Sequence, residues 1–178
     1  METDKIKADF QFLNNQVVKF SIESNPISIK GKTVNVNCDM DYQIVNCTEV
    51  EDGFLGVLYF IVDLFGKDEE NDVFKIHLTM KGSFAGYKEA ISMNDFKKML
   101  EVNGTATLSQ ISRAYINSVT ALSGMVPINL PMVNIYALKM YNLVLSQKEP
   151  RDSAWLGESC RWLPSVALCF PGASGGPR

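Results

Sequence analysis

Three kinds of side chain in this sequence could carry chemistry, and each is short of partners. Asp39 and Asp41 stand two apart in an alternating segment, so both carboxylates share one strand face, an arrangement suited to general acid–base work or to holding a cation. A solvated strand face must carry polar residues in any case, which is the plainer account of the pair. His77 is the single histidine. With no second imidazole and no cysteine beside it, it reads as a surface residue rather than a metal ligand or triad member. Cys38, Cys47, Cys160 and Cys169 include no pair at the two-residue spacing of a zinc knuckle or redox motif; Cys38 and Cys47 read as small half-buried hydrophobes. No G-x-x-x-x-G-K-[ST], G-x-G-x-x-G or G-x-S-x-G occurs, so the sequence shows no machinery for nucleotide hydrolysis or serine chemistry. The expectation is a protein that is not an enzyme and takes no metal and no cofactor.

The unusual stretch is instead Ser123 to Asn142, SGMVPINLPMVNIYALKMYN, where a helical pattern breaks into an apolar connector bracketed by Pro127 and Pro131 and then resumes. Connectors are ordinarily polar because they face water. Here Met125, Val126, Ile128, Leu130 and Met132 crowd together, and each would contribute roughly 1.5–3 kcal/mol if fully buried, so a covering surface is expected. That surface belongs to the same chain, to a second subunit or to a bound partner. The prolines hold the segment extended, with Ile128 and Leu130 offered to one side.

The elements that position this connector follow from periodicity. Val18, Phe20 and Ile22 alternate within Gln16 to Glu23, which Asn25-Pro26 stops. Val34, Val36, Cys38, Met40, Tyr42 and Ile44 alternate with polar residues through Cys47. After the turn signal Glu51-Asp52-Gly53, the run from Phe54 to Phe65 is apolar on both faces, as in a central strand covered on both sides or one whose outer face is kept for another chain. Gly66 to Asn71 reads as a polar hairpin loop, and Asp72 to Phe84 alternates again, with Phe74, Ile76, Leu78, Met80 and Phe84 inward. From Ser92 the period becomes helical: a short helix with Phe96, Met99 and Leu100, capped by Ser92 or Asn94 and ended by Asn103-Gly104. A longer one follows, capped by Thr107, with Leu108, Ile111, Tyr115, Val119 and Leu122 as its core stripe and Gly124 as its stop. Asn134 to Gln147 makes the next helix. The fold class is α+β: a four-stranded antiparallel meander followed by a long helix, an apolar proline-containing connector and a second helix.

With 178 residues, 46% hydrophobic and 21% charged, the chain fits one globular domain, residues 1–148. The net charge of −3 without a basic stripe argues against nucleic acid. No run is long and apolar enough for a signal peptide or a membrane span, so the expectation is a cytosolic protein, not membrane-embedded. Residues 149–178 hold both tryptophans and four of the seven prolines without sustained period, and read as a disordered or non-native tail. An intact mass or genomic comparison ending the natural chain near Lys148 would support the appendage; a natural chain running through Arg178 would sink it.

Across residues Phe10 to Asn142 the sequence resembles the bacterial export chaperone family SecB. The likeness is densest at the connector, where M-V-P-I-N-L-P-M-V-N-I-Y-A-L is similar to the family's T-F-P-x-L-N-L-x-P-V-N-F-x-A-L, with Pro127, Asn129, Leu130, Val133, Asn134, Ala137 and Leu138 at the shared positions. The proline of the family's P-V-N is displaced by one step, to Pro131. Ser21 to Glu23 resembles S-F-E, Lys81 to Phe84 resembles G-G-I-F, and Arg113 and Gly124 fit the long helix.

The resemblance implies an ATP-independent holdase for unfolded polypeptides, active in protein transport, that tetramerises as a dimer of dimers. On it, Phe54, Tyr59, Met125, Val126, Ile128, Leu130, Met132 and Tyr136 are the candidate client contacts, with core or subunit packing as the competing role of each. Eight methionines, six tyrosines and ten phenylalanines suit a sequence-tolerant binder. At the family's partner-docking positions on the outer sheet face, Glu23 matches, whereas Lys19, Lys75 and His77 replace acidic or apolar residues. That exchange reverses the local potential and argues against ordinary SecA handover, in favour of a dedicated partner such as an antitoxin of a toxin–antitoxin–chaperone system. The alternative from another class is a small-ligand-binding or enzymatic α+β domain of hot-dog or cystatin-like type.

Overall fold

The computed structural model describes residues 8–25, 33–68, 71–146 and 166–169. Four long strands come first: β1 (Phe10–Ser24), β2 (Thr33–Val50), β3 (Gly53–Asp68) and β4 (Asn71–Tyr87). They form one antiparallel sheet in the order β1-β4-β3-β2. Only β2, β3 and β4 follow one another as a meander. β1 lies beside β4, because the segment between Ser24 and Thr33 is longer than the tight turns elsewhere and lets the chain cross to the other edge. The hairpin loop expected over Gly66 to Asn71 is shorter than its polar composition suggested: β3 runs on through Asp68, which pairs with Asn71.

A fifth strand, β5 (Val166–Cys169), pairs antiparallel with the start of β2. The sheet therefore has five strands rather than four, and the segment set aside as a tail contributes to it at these residues. An apolar, β-prone quartet between Pro164 and Pro171 is too short to show a period. The rest of 149–178, with Cys160, lies outside the described residues.

Alternation is kept on β3, where Phe54, Leu58, Phe60, Val62 and Leu64 are buried on one face. On β1 it slips. Register shifts between Phe12 and Asn14 and between Val17 and Lys19 insert one residue each, so Val17, Phe20 and Ile22 pack on the core while Val18 turns out. A further shift falls on β2 after Ile44, which keeps the inner phase opposite the buried Leu58 yet is 37% exposed.

The helices cover the inner face. Ser92 caps α1 (Met93–Met99) by accepting from the Asp95 N–H at 3.2 Å. Asn103-Gly104 does not end the helical run: a π-helical turn, Leu100–Gly104, joins α1 directly to α2 (Thr105–Leu122). Gly104 is right-handed, and a β-carbon there would lie 3.4 Å from both Leu58 and Phe84, so this glycine serves close helix–sheet approach rather than chain reversal. Thr107 accordingly caps nothing; its hydroxyl donates back to the Asn103 carbonyl at 2.8 Å.

The buried face of α2 is Leu108, Ser112, Ile116 and Thr120, joined by Thr105 and Ser109. Of the expected stripe only Leu108 is buried; Ile111, Tyr115 and Val119 are half-buried and Leu122 is exposed. Small hydroxyl side chains replace apolar bulk because the helix sits close to the sheet, where Leu108 presses on Gly82, and two of them, Ser109 and Thr120, are satisfied within the helix. Ser109 donates to the Ala106 carbonyl and Thr120 to that of Ile116, both at 2.8 Å. At the C-terminus, Gly124 (φ 74°) occupies the left-handed position. Met125 N–H bonds to Thr120 O at 3.0 Å and Gly124 N–H to Ala121 O at 3.2 Å, a Schellman stop. The last helix is α3 (Ile135–Ser146), whose Ala137 N–H bonds to the Asn134 side chain at 3.1 Å.

Candidate functional site

The connector runs back along α2, and polar pins fix its register. Ile128 N–H donates to Thr120 Oγ1 at 3.0 Å, Asn117 Nδ2 to Asn129 Oδ1 at 2.9 Å, and Arg113 approaches the Met132 sulfur at 3.0 Å. This pinning turns Ile128 and Leu130 into the core, where they are 3% and 2% exposed. They are not a ledge offered to solvent. Phe54 is likewise enclosed, 5.6 Å from Phe96 in a stacked pair. For these three residues the covering surface is the chain itself, and client contact in this conformation is corrected to core packing. Met125 and Val126 are half-buried, and Tyr59 lies half-buried on the opposite face of the sheet.

Past Pro131 the chain presents a different surface. Met132, Tyr136 and Met140 are 72%, 69% and 62% exposed; the four-residue spacing puts Tyr136 and Met140 on one face of α3, and Met132 lies in the connector before it. Met140 continues a spacing that Met132 and Tyr136 already set, so the sequence carried the signal for it. The opposite side of α3 anchors the stripe: Leu138 packs on the core, and Lys139 ion-pairs with Glu101 at 2.5 Å. Glu101 also accepts from the Tyr42 hydroxyl at 2.8 Å, so one carboxylate ties β2, the π-turn and α3 together. Burial, with the Glu101 hydrogen bond, raises the Tyr42 pKa and keeps the hydroxyl a donor.

The outer face carries the residues considered for chemistry. Across four strands Ser21, His77, Asp63 and Asp39 stand in register. His77 Nδ1 is 2.7 Å from Asp63 Oδ1 and Nε2 is 3.1 Å from Thr79 Oγ1. A hydroxyl, an imidazole and a carboxylate in series is the order that activates a nucleophile, but β4 is paired on both sides, so its backbone N–H groups are spent in the ladder and none is left for an oxyanion. The series holds side chains in place on a sheet face. Burial, and then the nearby Asp63, raise the Asp39 pKa. Burial pushes the Cys38 thiol up to about 12 and also raises Cys47, as befits inert sulfhydryls.

Lys19, Glu23, Lys75 and His77 all share this outer face, with Glu23 opposite Lys75 in the register. Lys75 bonds to Asp72 at 2.7 Å, which lowers the Asp72 pKa and raises that of Lys75. Between these flanks the outer row of β3, Leu55, Val57, Tyr59, Ile61 and Phe65, is half-exposed, and the helices pack on the other side. A shallow cleft of about 90 Å³ between Glu23, Asn25, Asp72 and Lys75 is far smaller than a typical small-molecule site. Among the described residues no group of three potential metal ligands is found, and no helix is long and apolar enough to cross a membrane.

The architecture is a SecB-like α+β fold. No protein-family model matches the sequence, and no curated protein matches it. Among solved structures it is similar to the Mycobacterium tuberculosis Rv1957 SecB-like chaperone, solved in complex with a ChAD peptide from the Rv1956 HigA1 antitoxin. That similarity has a TM-score of 0.52 at 14% identity and covers 71% of this chain and 91% of that one. A Streptococcus agalactiae protein of unknown function also aligns, with a TM-score of 0.38 at 12% identity over 69% of this chain and 97% of that one.

Proposed function

We propose that the protein is an ATP-independent chaperone of the cytoplasm that holds non-native polypeptide segments and catalyses no reaction. The observation that carries this is the exposure of Tyr136 and Met140 on one face of α3, with Met132 exposed in the connector just before it, on a helix anchored through Leu138 and Lys139. Two thioethers and a phenol grip varied apolar segments without a hydrogen-bond code, and methionine adapts its shape to each. The fold supports the reading, as does the peptide held by the neighbour of the same fold. Met125 and Val126 form the rim of the stripe, and assembly into a dimer of dimers would multiply weak grips through effective concentration.

Handover goes to a dedicated partner such as an antitoxin rather than to SecA. Lys19 and Lys75 put positive charge on the outer face where an acidic surface would be required, and His77 is committed to Asp63.

The test is suppression of aggregation of a chemically unfolded protein, without nucleotide, by wild type and by the triple variant Met132→Ser, Tyr136→Ser, Met140→Ser. Wild type suppresses; the variant loses most of the effect while its unfolding midpoint is unchanged. Equal suppression by both overturns the site. Ile128→Asp, the obvious alternative, is unsuited because burying a carboxylate beside Thr120 unfolds the domain.

A further inference from the structure

Met132 has surroundings that client binding alone does not call for. It is 72% exposed, and Arg113 Nη1 lies 3.0 Å from its sulfur, with Gln110 Nε2 at 3.9 Å. Gln110 and Arg113 stand three apart on α2, so one helix face brings both donors to the same atom. A thioether is a weak acceptor, whereas a guanidinium is suited to the oxygens of carboxylates and phosphates. Among the described residues no carboxylate pairs with Arg113. Strong donors thus meet a weak acceptor at an exposed position.

Other methionines show one half of this arrangement without the other. Met80 accepts from Asn15 Nδ2 at 3.5 Å but is fully buried. Met93 is half-buried and meets only the Cys47 thiol, a weak donor, at 3.6 Å. Met140 is 62% exposed, with no N–H on its sulfur among the described residues.

Oxidation turns the mismatch at Met132 into a match. In reaction with a hydroperoxide, a sulfur lone pair forms the S–O bond as the O–O bond breaks. The second oxygen leaves as water or an alcohol, carrying the proton of the transferred hydroxyl; the sulfur is oxidised by two electrons and the peroxide reduced by two. A thiol-dependent sulfoxide reductase reverses the step, two thiols becoming a disulfide as the oxygen departs as water. The sulfoxide oxygen bears the negative end of the S–O dipole and takes a charge-assisted hydrogen bond from Arg113. The side chain is then polar and held against α2, so the client surface loses an adaptable apolar member while Tyr136 and Met140 stay in place.

We propose that Met132 is a reversible oxidation site through which a hydroperoxide releases client segments, with Arg113 and Gln110 as positioning residues that receive the sulfoxide oxygen. The inference rests on the holdase reading and adds regulation to the same surface.

The full chain is treated with hydrogen peroxide until peptide mass spectrometry finds Met132 as the sulfoxide and Met80 intact. Binding of an unfolded, reduced and carboxymethylated protein carrying a fluorophore is measured before and after, and each variant is compared with itself. In Met140→Leu, which isolates Met132 on the surface, peroxide weakens binding about three- to tenfold and sulfoxide reductase restores it. In Met132→Leu with Met140→Leu the same treatment changes binding less than about twofold. Equal loss in both proteins, or loss in neither, overturns the switch while the holdase reading stands. A second arm needs no client: oxidation shifts the urea midpoint of Met140→Leu upward relative to the shift it causes when Arg113→Ala is added. Equal shifts overturn Arg113 as the receiving group. If no reduced form binds the probe, the holdase reading falls, and the oxidation site is judged by this second arm alone.

Discussion

Phe60 and Ile61 are consecutive residues of β3, with similar hydropathy and the same backbone pairing, yet they belong to different surfaces. Phe60 is fully buried under the helices, whereas Ile61 sits in a half-exposed row between Asp41 and Thr79. The inner face is closed by α1, α2 and the connector, and its composition follows from packing. The outer face carries an apolar row that no helix covers among the described residues, flanked by charged side chains of which Lys75 is paired with Asp72 and His77 with Asp63. An apolar strand is therefore no guide to how many of its faces are enclosed. Replacing each residue by alanine measures the difference: Phe60→Ala should cost about 3–5 kcal/mol and Ile61→Ala about 1 kcal/mol or less in denaturant unfolding. Equal costs would mean that the outer row is enclosed in solution, by a second subunit.

Much of this division was legible in the sequence, because side chains that alternate with period two assign themselves to faces. Strand order was not, since nothing in the amphipathic β1 says whether β2 or β4 will receive it. Single-residue bulges were also hidden: Val18 continues the alternation of Phe20 and Ile22 on paper, and only the register shows that the phase has slipped. Asn103-Gly104 has the composition of a helix stop, but the glycine was selected for space against Leu58 and Phe84. On α2 the true buried row, with Ser112 and Thr120, looks polar, so the apolar residues beside it drew the stripe away.

The connector was legible as extended, oily and in need of cover. Which side was covered depended on Thr120 and Asn117 of α2, which no local pattern in the connector reveals; Met132 and Tyr136 were expected as client contacts from the family resemblance, without any sign of which side faces out. The Tyr42–Glu101–Lys139 link joins segments far apart in sequence and has no local signature.

Two buried hydroxyls on the inner face sharpen the contrast at a smaller scale. Thr120 Oγ1 accepts from Ile128 N–H, so Thr120→Val leaves a buried donor without a partner and should cost about 1–3 kcal/mol, loosening the connector. Ser112 Oγ is buried without a protein partner, and Ser112→Ala should be neutral or raise stability by up to about 1 kcal/mol. Both are read from urea midpoints, with amide exchange at Ile128 reporting on the connector. A cost for Ser112→Ala as large as that for Thr120→Val would show that hydroxyls on this face act through packing rather than through their hydrogen bonds.

The smallest effect lies on the outer face, at Asp39. Its pKa is raised by burial and by Asp63, the residue opposite it, which in turn faces His77. A carboxyl whose folded pKa exceeds its unfolded one binds more protons folded than unfolded, so it favours the folded state below the ordinary carboxylate range and loses that advantage as pH rises through the folded value. Asp39→Asn should thus stabilise by about 0.5 kcal/mol or less at neutral pH, because the site is largely solvated, and by nothing once the carboxyl is protonated in both states. Urea midpoints of the two proteins should converge as pH falls toward about 3.5. Midpoints separated equally at all pH values would mean that Asp39 acts through its shape or hydrogen bonds, and the outer face would then be held by packing much as the inner face is.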